Sequence, residues 1–307
     1  MLLQERITEQ THNMKFAIYG RQFNSSVLPF VQQVFDSLAK YNIHVCVYDQ
    51  YKQYLNEKVN FPEETSVFAS HQDLVDAQVD VMISLGGDGT LLDTVSLIRN
   101  AEISVIGINF GRLGFLASIN KDEIESAIED LVNKKYTFDN RALLAVESDS
   151  NLFGNENFAL NDITIHKRDT SAMIIIHTYL NGDFLNSYWA DGLIFATPTG
   201  STAYSLSCGG PIVFPQSNNF VVTPISPHNL NVRPIVLSDT NIISFEVEGR
   251  SSKYLLSCDS RTTILDTSTR ITIKKADFEI NLIRLNNENY LSTLRRKLLW
   301  GIDTRNY

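Results

Sequence analysis

A carboxylate set among glycines, Asp88 in Gly86-Gly87-Asp88-Gly89-Thr90, is the side chain in this sequence best placed by its neighbours to do chemistry. Glycines permit backbone angles closed to other residues, and without a Cβ they let a phosphate come close to peptide N–H groups. At the start of a helix those N–H groups and the helix dipole both favour an anion. A carboxylate in such a turn repels phosphate unless it holds a metal ion or takes a proton from an attacking hydroxyl, and phosphoryl-transfer enzymes use acids for both. The plainer alternative is a tight turn in which Asp88 only caps the next helix, for which a single Asp-Gly would suffice. No Gly-Lys-Ser/Thr follows and no Gly-x-Gly-x-x-Gly is present, so neither the Walker-type phosphate loop nor the dinucleotide turn is at hand.

A second constellation runs from Asp191-Gly192 to Thr197-Pro198-Thr199-Gly200-Ser201-Thr202-Ala203-Tyr204-Ser205-Leu206-Ser207. Hydroxyls donate or accept without charge, which suits the sugar hydroxyls and amides of a dinucleotide better than a metal. A serine- and threonine-rich loop is also ordinary turn structure, and Asp191 alone is an ordinary turn residue. The histidines His12, His44, His71, His166, His177 and His228 lack paired ligand spacing, so no metal site is expected. Cysteines Cys46, Cys208 and Cys258 are odd in number and unpaired in spacing, which argues against disulfides and zinc.

These residues need elements to hold them. The apolar run from Val79 to Leu85 reads as a strand buried on both faces, and Leu91, Leu92, Val95 and Ile98 fall at helical spacing, so the glycine motif is a strand-to-helix turn. Before it, Met14–Gly20 reads as a strand, a helix follows Asn24-Ser25-Ser26 with Val27, Phe30, Val31, Val34, Phe35 and Leu38 on one face, and Ile43–Tyr48 is a second strand. An irregular stretch to Ala69 and a short helix from Asp73 to Ala77 complete the approach. This alternation predicts a parallel sheet with right-handed crossovers, whose ligands bind beyond the carboxyl ends of the strands, where Asp88 sits. Ser104–Asn109 is a further buried strand. It leads into Phe110-Gly111-Arg112-Leu113-Gly114-Phe115-Leu116, read either as a packed turn or as a ligand-lining loop, and Lys121–Asn133 is an amphipathic helix.

After Lys135 the composition becomes that of short β-branched strands and polar turns: Leu143–Glu147, Ile163–His166, Ile174–Tyr179, Ile242–Val247 and Ile271–Ile273, with Asn181-Gly182-Asp183 as a hairpin signal. The expected division is an α/β domain over 1–135, rejoined by 280–307, and a β-rich domain over 136–279. A terminal helix from Asn289 to Trp300 carries Leu291, Leu294, Leu298 and Leu299, which need a partner surface. Residues 1–13 show no pattern.

Composition bounds the function. The 307 residues, 43% hydrophobic and 20% charged, suit a soluble globular protein of two domains. No apolar run is long enough to span a bilayer, and the first residues lack the apolar core of a signal peptide, so no membrane role and a cytoplasmic location are expected. A net charge of −9 opposes nucleic-acid binding, and anionic substrates must be met by dipoles, a few basic side chains or a metal.

Taken together, Gly86–Thr90, Asn161-Asp162, Asp191-Gly192, Thr197–Tyr204, Pro224-Ile225-Ser226-Pro227-His228 and Arg233-Pro234 resemble the NAD kinase family, in that family's order, over the chain from Met14 onward. The pentapeptide alone is shared with diacylglycerol-type lipid kinases; the hydroxyl-rich block discriminates. The resemblance implies a Rossmann- or flavodoxin-like α/β domain, a C-terminal β-sandwich, a tail returning to the first domain and a homo-oligomer, tetramer or dimer. It implies an enzyme that uses ATP with Mg2+ or another divalent cation to phosphorylate the 2′-hydroxyl of the adenosine ribose of NAD, giving NADP. It also implies roles: Asp88 as the base, Gly86, Gly87, Gly89 and Thr90 along the nucleotide, and Asn161 and Asp162 holding the adenosine. Trp189, Asp191 and Thr202, Ala203, Tyr204, Ser205, Leu206 and Ser207 line the dinucleotide site, across a subunit boundary in some arrangements. Asp162 stands where the family usually has Glu, Trp189 where a basic residue is frequent, Asp93 where an arginine is frequent, and Asp259-Ser260 where Asp-Gly is usual. Two other readings are a lipid kinase sharing the glycine-aspartate loop and a non-catalytic NAD(P) sensor.

Overall fold

The structure is a computed structural model and describes residues 14–111, 114–168, 172–285 and 289–299. Arg112, Leu113, Trp300 and the segment 1–13, each named in the sequence reading, lie outside the described residues. The chain divides into two compact units, Met1–Asp139 with Ile280–Tyr307, and Asn140–Glu279.

The first unit opens with β1 (Lys15–Gly20), α1 (Leu28–Lys40), β2 (His44–Tyr48), α2 (Asp49–Leu55), β3 (Ser66–Phe68) and α3 (His71–Asp76). It continues with β4 (Val81–Leu85), α4 (Asp88–Ile98), β5 (Ser104–Asn109), β6 (Ile119–Asn120) and α5 (Ile124–Val132). Its strands lie in the order β3-β2-β1-β4-β5, all parallel. The chain leaves β1 toward β2 and β3 on one side and returns to β4 and β5 on the other, so the order reverses between β1 and β4. Crevices at such reversals, outside the carboxyl ends of the strands, are where open α/β sheets bind ligands. Arg21 follows β1 and Gly86 follows β4 at that reversal, with Gly20 paired to Leu85.

All five residues of β4 are buried, as the unbroken apolar run requires of a central strand. Phe16, Ile18, Val45, Val47, Ile83 and Ile106 form one core with Val31, Val34, Phe35 and Leu38 of α1 and Ile128 and Leu131 of α5. The stretch read as irregular to Ala69 contains α2 and β3: only Tyr51 and Leu55 of α2 reach the core, too few for a periodic signal. The terminal helix, α7 (Tyr290–Leu298), buries Leu294, while Leu291, Leu298 and, just past the helix, Leu299 are exposed.

The second unit takes in most of β7 (Tyr136–Ser148), then β8 (Phe158–Ala159), β9 (Asp162–Lys167), β10 (Ile174–Leu180), β11 (Asp183–Ala190), β12 (Gly192–Ala196) and the one-turn α6 (Tyr204–Ser207). After these come β13 (Asn219–Ile225), β14 (Ile235–Ser238), β15 (Ile243–Glu248), β16 (Lys253–Cys258), β17 (Arg261–Asp266) and the first part of β18 (Ile271–Leu285). One antiparallel layer runs β11-β10-β15-β18 and the other β14-β13-β12-β9-β16-β17. Ile176, Tyr188, Phe245 and Ile273 of the first face Ile165, Phe195, Val222 and Leu256 of the second in a single core, which makes the unit a β-sandwich. Asn181 and Gly182, at φ 52° and 91°, form the two-residue turn joining β10 to β11. Gly192–Ala196, inside the second constellation, is a fully buried central strand between β9 and β13, and the hydroxyl-rich loop begins at Thr197.

Candidate active site

In the first unit Asp88 opens α4 and is partly buried. Its carboxylate is held by a run of backbone amides from the turn after β5. The Phe115 N–H donates to Oδ2 at 2.8 Å, and the Leu116 and Ala117 N–H groups donate to Oδ1 at 3.0 Å each. Oδ1 thereby has both lone pairs occupied and Oδ2 keeps one. The carboxylate is therefore fixed in one orientation with a proton-accepting site left over. Gly114 makes this possible, since a Cβ there would lie 1.8 Å from Asp88 Oδ1. Sequence reasoning reached this loop as a whole but assigned no role to Gly114, Phe115, Leu116 or Ala117; a glycine between two bulky residues was the available signal.

The four neighbours of Asp88 divide by purpose. Gly86 has φ 153° and its missing Cβ would strike Thr90 Oγ1 at 2.3 Å, while Thr90 itself is buried, so these two build the turn. At Gly87 and Gly89 a Cβ would meet nothing within 4 Å, and neither has positive φ. The fold does not need glycine at either position, and both leave open space beside the backbone. Asp93, further along α4, accepts from Tyr19 Oη at 3.1 Å and from the Arg21 guanidinium. The position thus carries the opposite charge from the family's frequent arginine and is paired with the cation that follows β1.

In the second unit Asn161 and Asp162 stand at the start of β9, and the hydroxyl-rich loop packs directly on them. The Thr197 N–H donates to Asn161 O at 2.9 Å, and a Cβ on Gly200 would lie 2.0 Å from that same oxygen. Tyr204 is exposed, and its phenol is pushed up chiefly by partial burial, with the charges of Asp162 and Asp191 adding to the rise. Asp191 is paired with Lys167 at 2.6 Å, a partner for which the sequence held no signal. Several hydroxyls are spent on the loop itself. Thr197 donates to Leu160 O, Ser201 to Pro198 O, Ser205 pairs with Thr223 at 2.8 Å, and Arg141 Nη1 donates to Thr199 at 2.9 Å. The Ser205 hydroxyl is consequently turned inward, while Thr202, Ala203, Tyr204, Leu206 and Ser207 are at least partly exposed. The half-exposed indole of Trp189 lines a cleft of about 580 Å³ with Met173, Ile175, Glu248 and Arg250.

Asp259 is the buried support. It adopts φ 51° and accepts three amides, from Leu160 to Oδ2 and from Asn161 and Asp162 to Oδ1. Burial pushes its carboxyl up, against those three bonds and Arg261. Burial likewise pushes the Asp162 carboxyl up to about 7; the Thr164 hydroxyl, donating to Oδ1 at 2.9 Å, opposes the rise, and the nearby Asp259 charge adds to it. A folded-state value above the unfolded one means the native state binds the proton more tightly. Stability is then unaffected below about pH 4, where both states are protonated, falls as pH rises, and carries the full penalty above about 7. Asp162→Asn removes that penalty, roughly 2–4 kcal/mol, so its Tm relative to the parent should rise by several degrees between about pH 5 and pH 8. Thermal unfolding at both pH values checks this, and a difference that does not change with pH would remove the buried acid as its cause.

Comparison with known proteins gives the same picture for both halves. The ATP-NAD kinase N-terminal domain matches residues 16–136 and the ATP-NAD kinase C-terminal domain matches residues 160–285. The chain is 47% identical over 294 residues to an NAD kinase of Cytophaga hutchinsonii, covering 95% of this chain and 100% of that protein. It is 41% identical, with the same coverage, to an NAD kinase of Bacteroides fragilis. Among solved structures it is similar to yeast NADH kinase complexed with NADH, with TM-score 0.84 and 26% identity over 95% of this chain and 89% of that one. It shares the fold of an Archaeoglobus fulgidus NAD kinase in complex with ATP, with TM-score 0.73 and 23% identity over 93% and 99% of the two chains.

Proposed function

The chain belongs to the ATP-NAD kinase family, and on that premise we propose which of its residues carry the transfer of the ATP γ-phosphoryl group to the 2′-hydroxyl of the adenosine ribose of NAD. Asp88 is the base, and the observation that carries the reading is its carboxylate: fixed by three amides, with one lone pair of Oδ2 unspent, at the N-terminus of α4. A ribose hydroxyl is a very weak acid, and the transition state of phosphoryl transfer is loose, so the proton leaves late, as the phosphoryl group arrives. A base that only has to be in the right place benefits more from rigid positioning than from basicity. Gly87 and Gly89 leave room for the nucleotide against the backbone, and the first-turn N–H groups of α4 face the developing charge.

The second unit is the NAD-binding domain in this reading. Asn161, Asp162 and Asp191 offer acceptors to the amine and hydroxyls of the adenosine, and Tyr204 offers a ring and a phenol at the surface. The divalent cation in this reading arrives on the ATP phosphates as part of the substrate. A dimer or tetramer is supported by β11, the edge strand of its layer, which exposes Phe184 and Trp189, an unusual amount of aromatic surface for a free edge. No helix among the described residues is long and apolar enough to cross a membrane, and we assign the enzyme to the cytoplasm on its cysteine usage and its substrates.

The test is direct: the purified chain with NAD, ATP and Mg2+ should form NADP. A chain that binds NAD and makes no NADP would move the sensor reading ahead, and one that binds neither but is retained on vesicles would favour a lipid acceptor.

A further inference from the structure

We propose that Arg21 binds the polyphosphate chain of the phosphoryl donor, and that Asp93 and Tyr19 hold it in place to do so. The inference rests on the kinase reading above and deepens it. Topology supplies the first argument. Gly20 and Leu85 are paired residues of neighbouring parallel strands, so the next residue on each is Arg21 and Gly86. The two stand side by side at the carboxyl ends of β1 and β4, where the strand order reverses and a ligand has its crevice.

Orientation supplies the second. Nε and Nη2 of Arg21 both donate to Asp93 Oδ2, and the Tyr19 phenol donates to the same oxygen at 3.1 Å. Burial, with Asp93 beside it, pushes the Tyr19 phenol up to about 12, so it remains a neutral donor to that carboxylate. A guanidinium has five N–H groups in a rigid fork. Asp93 engages the Nε–Nη2 edge, and the side chain is 55% exposed. One edge is fixed to the protein while more than half of the side chain stays open to solvent, an arrangement that can present a planar donor to phosphate oxygens.

Charge supplies the third. The chain carries a net charge of −9, and the glycine turn contributes Asp88, so a triphosphate entering this crevice needs a cation fixed nearby. The competing account is an ordinary surface ion pair, which contributes little to stability and nothing to substrate binding.

The experiment uses the full chain with Arg21→Gln and Arg21→Lys. KM for ATP and KM for NAD are measured separately, along with the rise in Tm produced by inorganic tripolyphosphate. For Arg21→Gln the ATP KM should rise about tenfold or more, a loss on the scale of a charge-assisted hydrogen-bonded pair, with the NAD KM within about twofold of the parent. Arg21→Lys should recover part of that loss, because it restores the charge without the fork. Tripolyphosphate should raise the parent's Tm and raise that of Arg21→Gln much less. An unchanged ATP KM, a change in the NAD KM instead, or equal tripolyphosphate stabilisation of both proteins would overturn the assignment. The tripolyphosphate measurement needs no turnover, so a parent that makes no NADP would sink the kinase reading while leaving Arg21 separately tested.

Discussion

Asp88→Asn should lower the rate of NADP formation by a factor of about 10²–10⁴, the range general-base groups contribute, while NAD still binds. The substitution is nearly isosteric, and its amide oxygen can still accept from the Leu116 and Ala117 N–H groups that now reach Oδ1 at 3.0 Å. The other end of the side chain becomes an amine facing the Phe115 N–H, which donates to Oδ2 at 2.8 Å in the parent. One donor is thereby set against another. The cost to stability should be about 1–3 kcal/mol, visible as a lower Tm, and small beside the loss of rate. Stopped-time assays of NADP together with NAD titration by calorimetry separate the two effects. A variant that turns over within about tenfold of the parent would remove Asp88 from the base role.

Gly114→Ala is expected to be nearly as damaging to turnover without touching a charged group. The added methyl would lie 1.8 Å from Oδ1 and 2.6 Å from Cγ of Asp88, so the carboxylate cannot stay where it is. The backbone at Gly114 has no positive φ, and alanine is conformationally acceptable there. The strain therefore falls on the contact with Asp88. Either the carboxylate swings out and loses its amides, or the 114–117 turn withdraws and takes the amides with it. A displacement of about 1 Å at a reacting group costs on the order of 10²-fold in rate, and overpacking costs about 1–3 kcal/mol in stability. The same assays check the prediction, with NAD affinity expected to hold because the residues proposed for adenosine binding lie in the other unit. Turnover within about threefold of the parent would mean that the position of Asp88 is not what the amide run is for.

The sequence was most informative where the physics is local. The apolar run before Gly86 could only be a central strand, and all five residues of β4 are buried. The spacing of Leu91, Val95 and Ile98 gave α4, whose core-facing side they form, and Asn181-Gly182 gave the β10–β11 turn because those residues accept positive φ. The motifs Gly86–Thr90 and Thr197–Tyr204 were enough for the family, since each is a short stretch whose residue types are set by the chemistry. The strand β17 was missed, because Arg, Thr and Asp take four of its six positions and only Leu265 is buried.

What only the tertiary structure decided is how the functional groups are held. The amides on Asp88 come from 27 to 29 residues away, and those on Asp259 from 97 to 99 residues away. The division of the hydroxyl-rich block into inward groups, such as Thr197, Ser201 and Ser205, and outward ones, such as Tyr204, follows from how it packs on Asn161. Arg21 meets Asp93 because β1 and β4 are neighbours although a helix, two strands and two more helices separate them in the chain. Residue type and spacing fix what a segment can do by itself. Which distant backbone donors saturate a carboxylate, and which lone pair is left for chemistry, depends on strand order and loop path, and no local pattern encodes either.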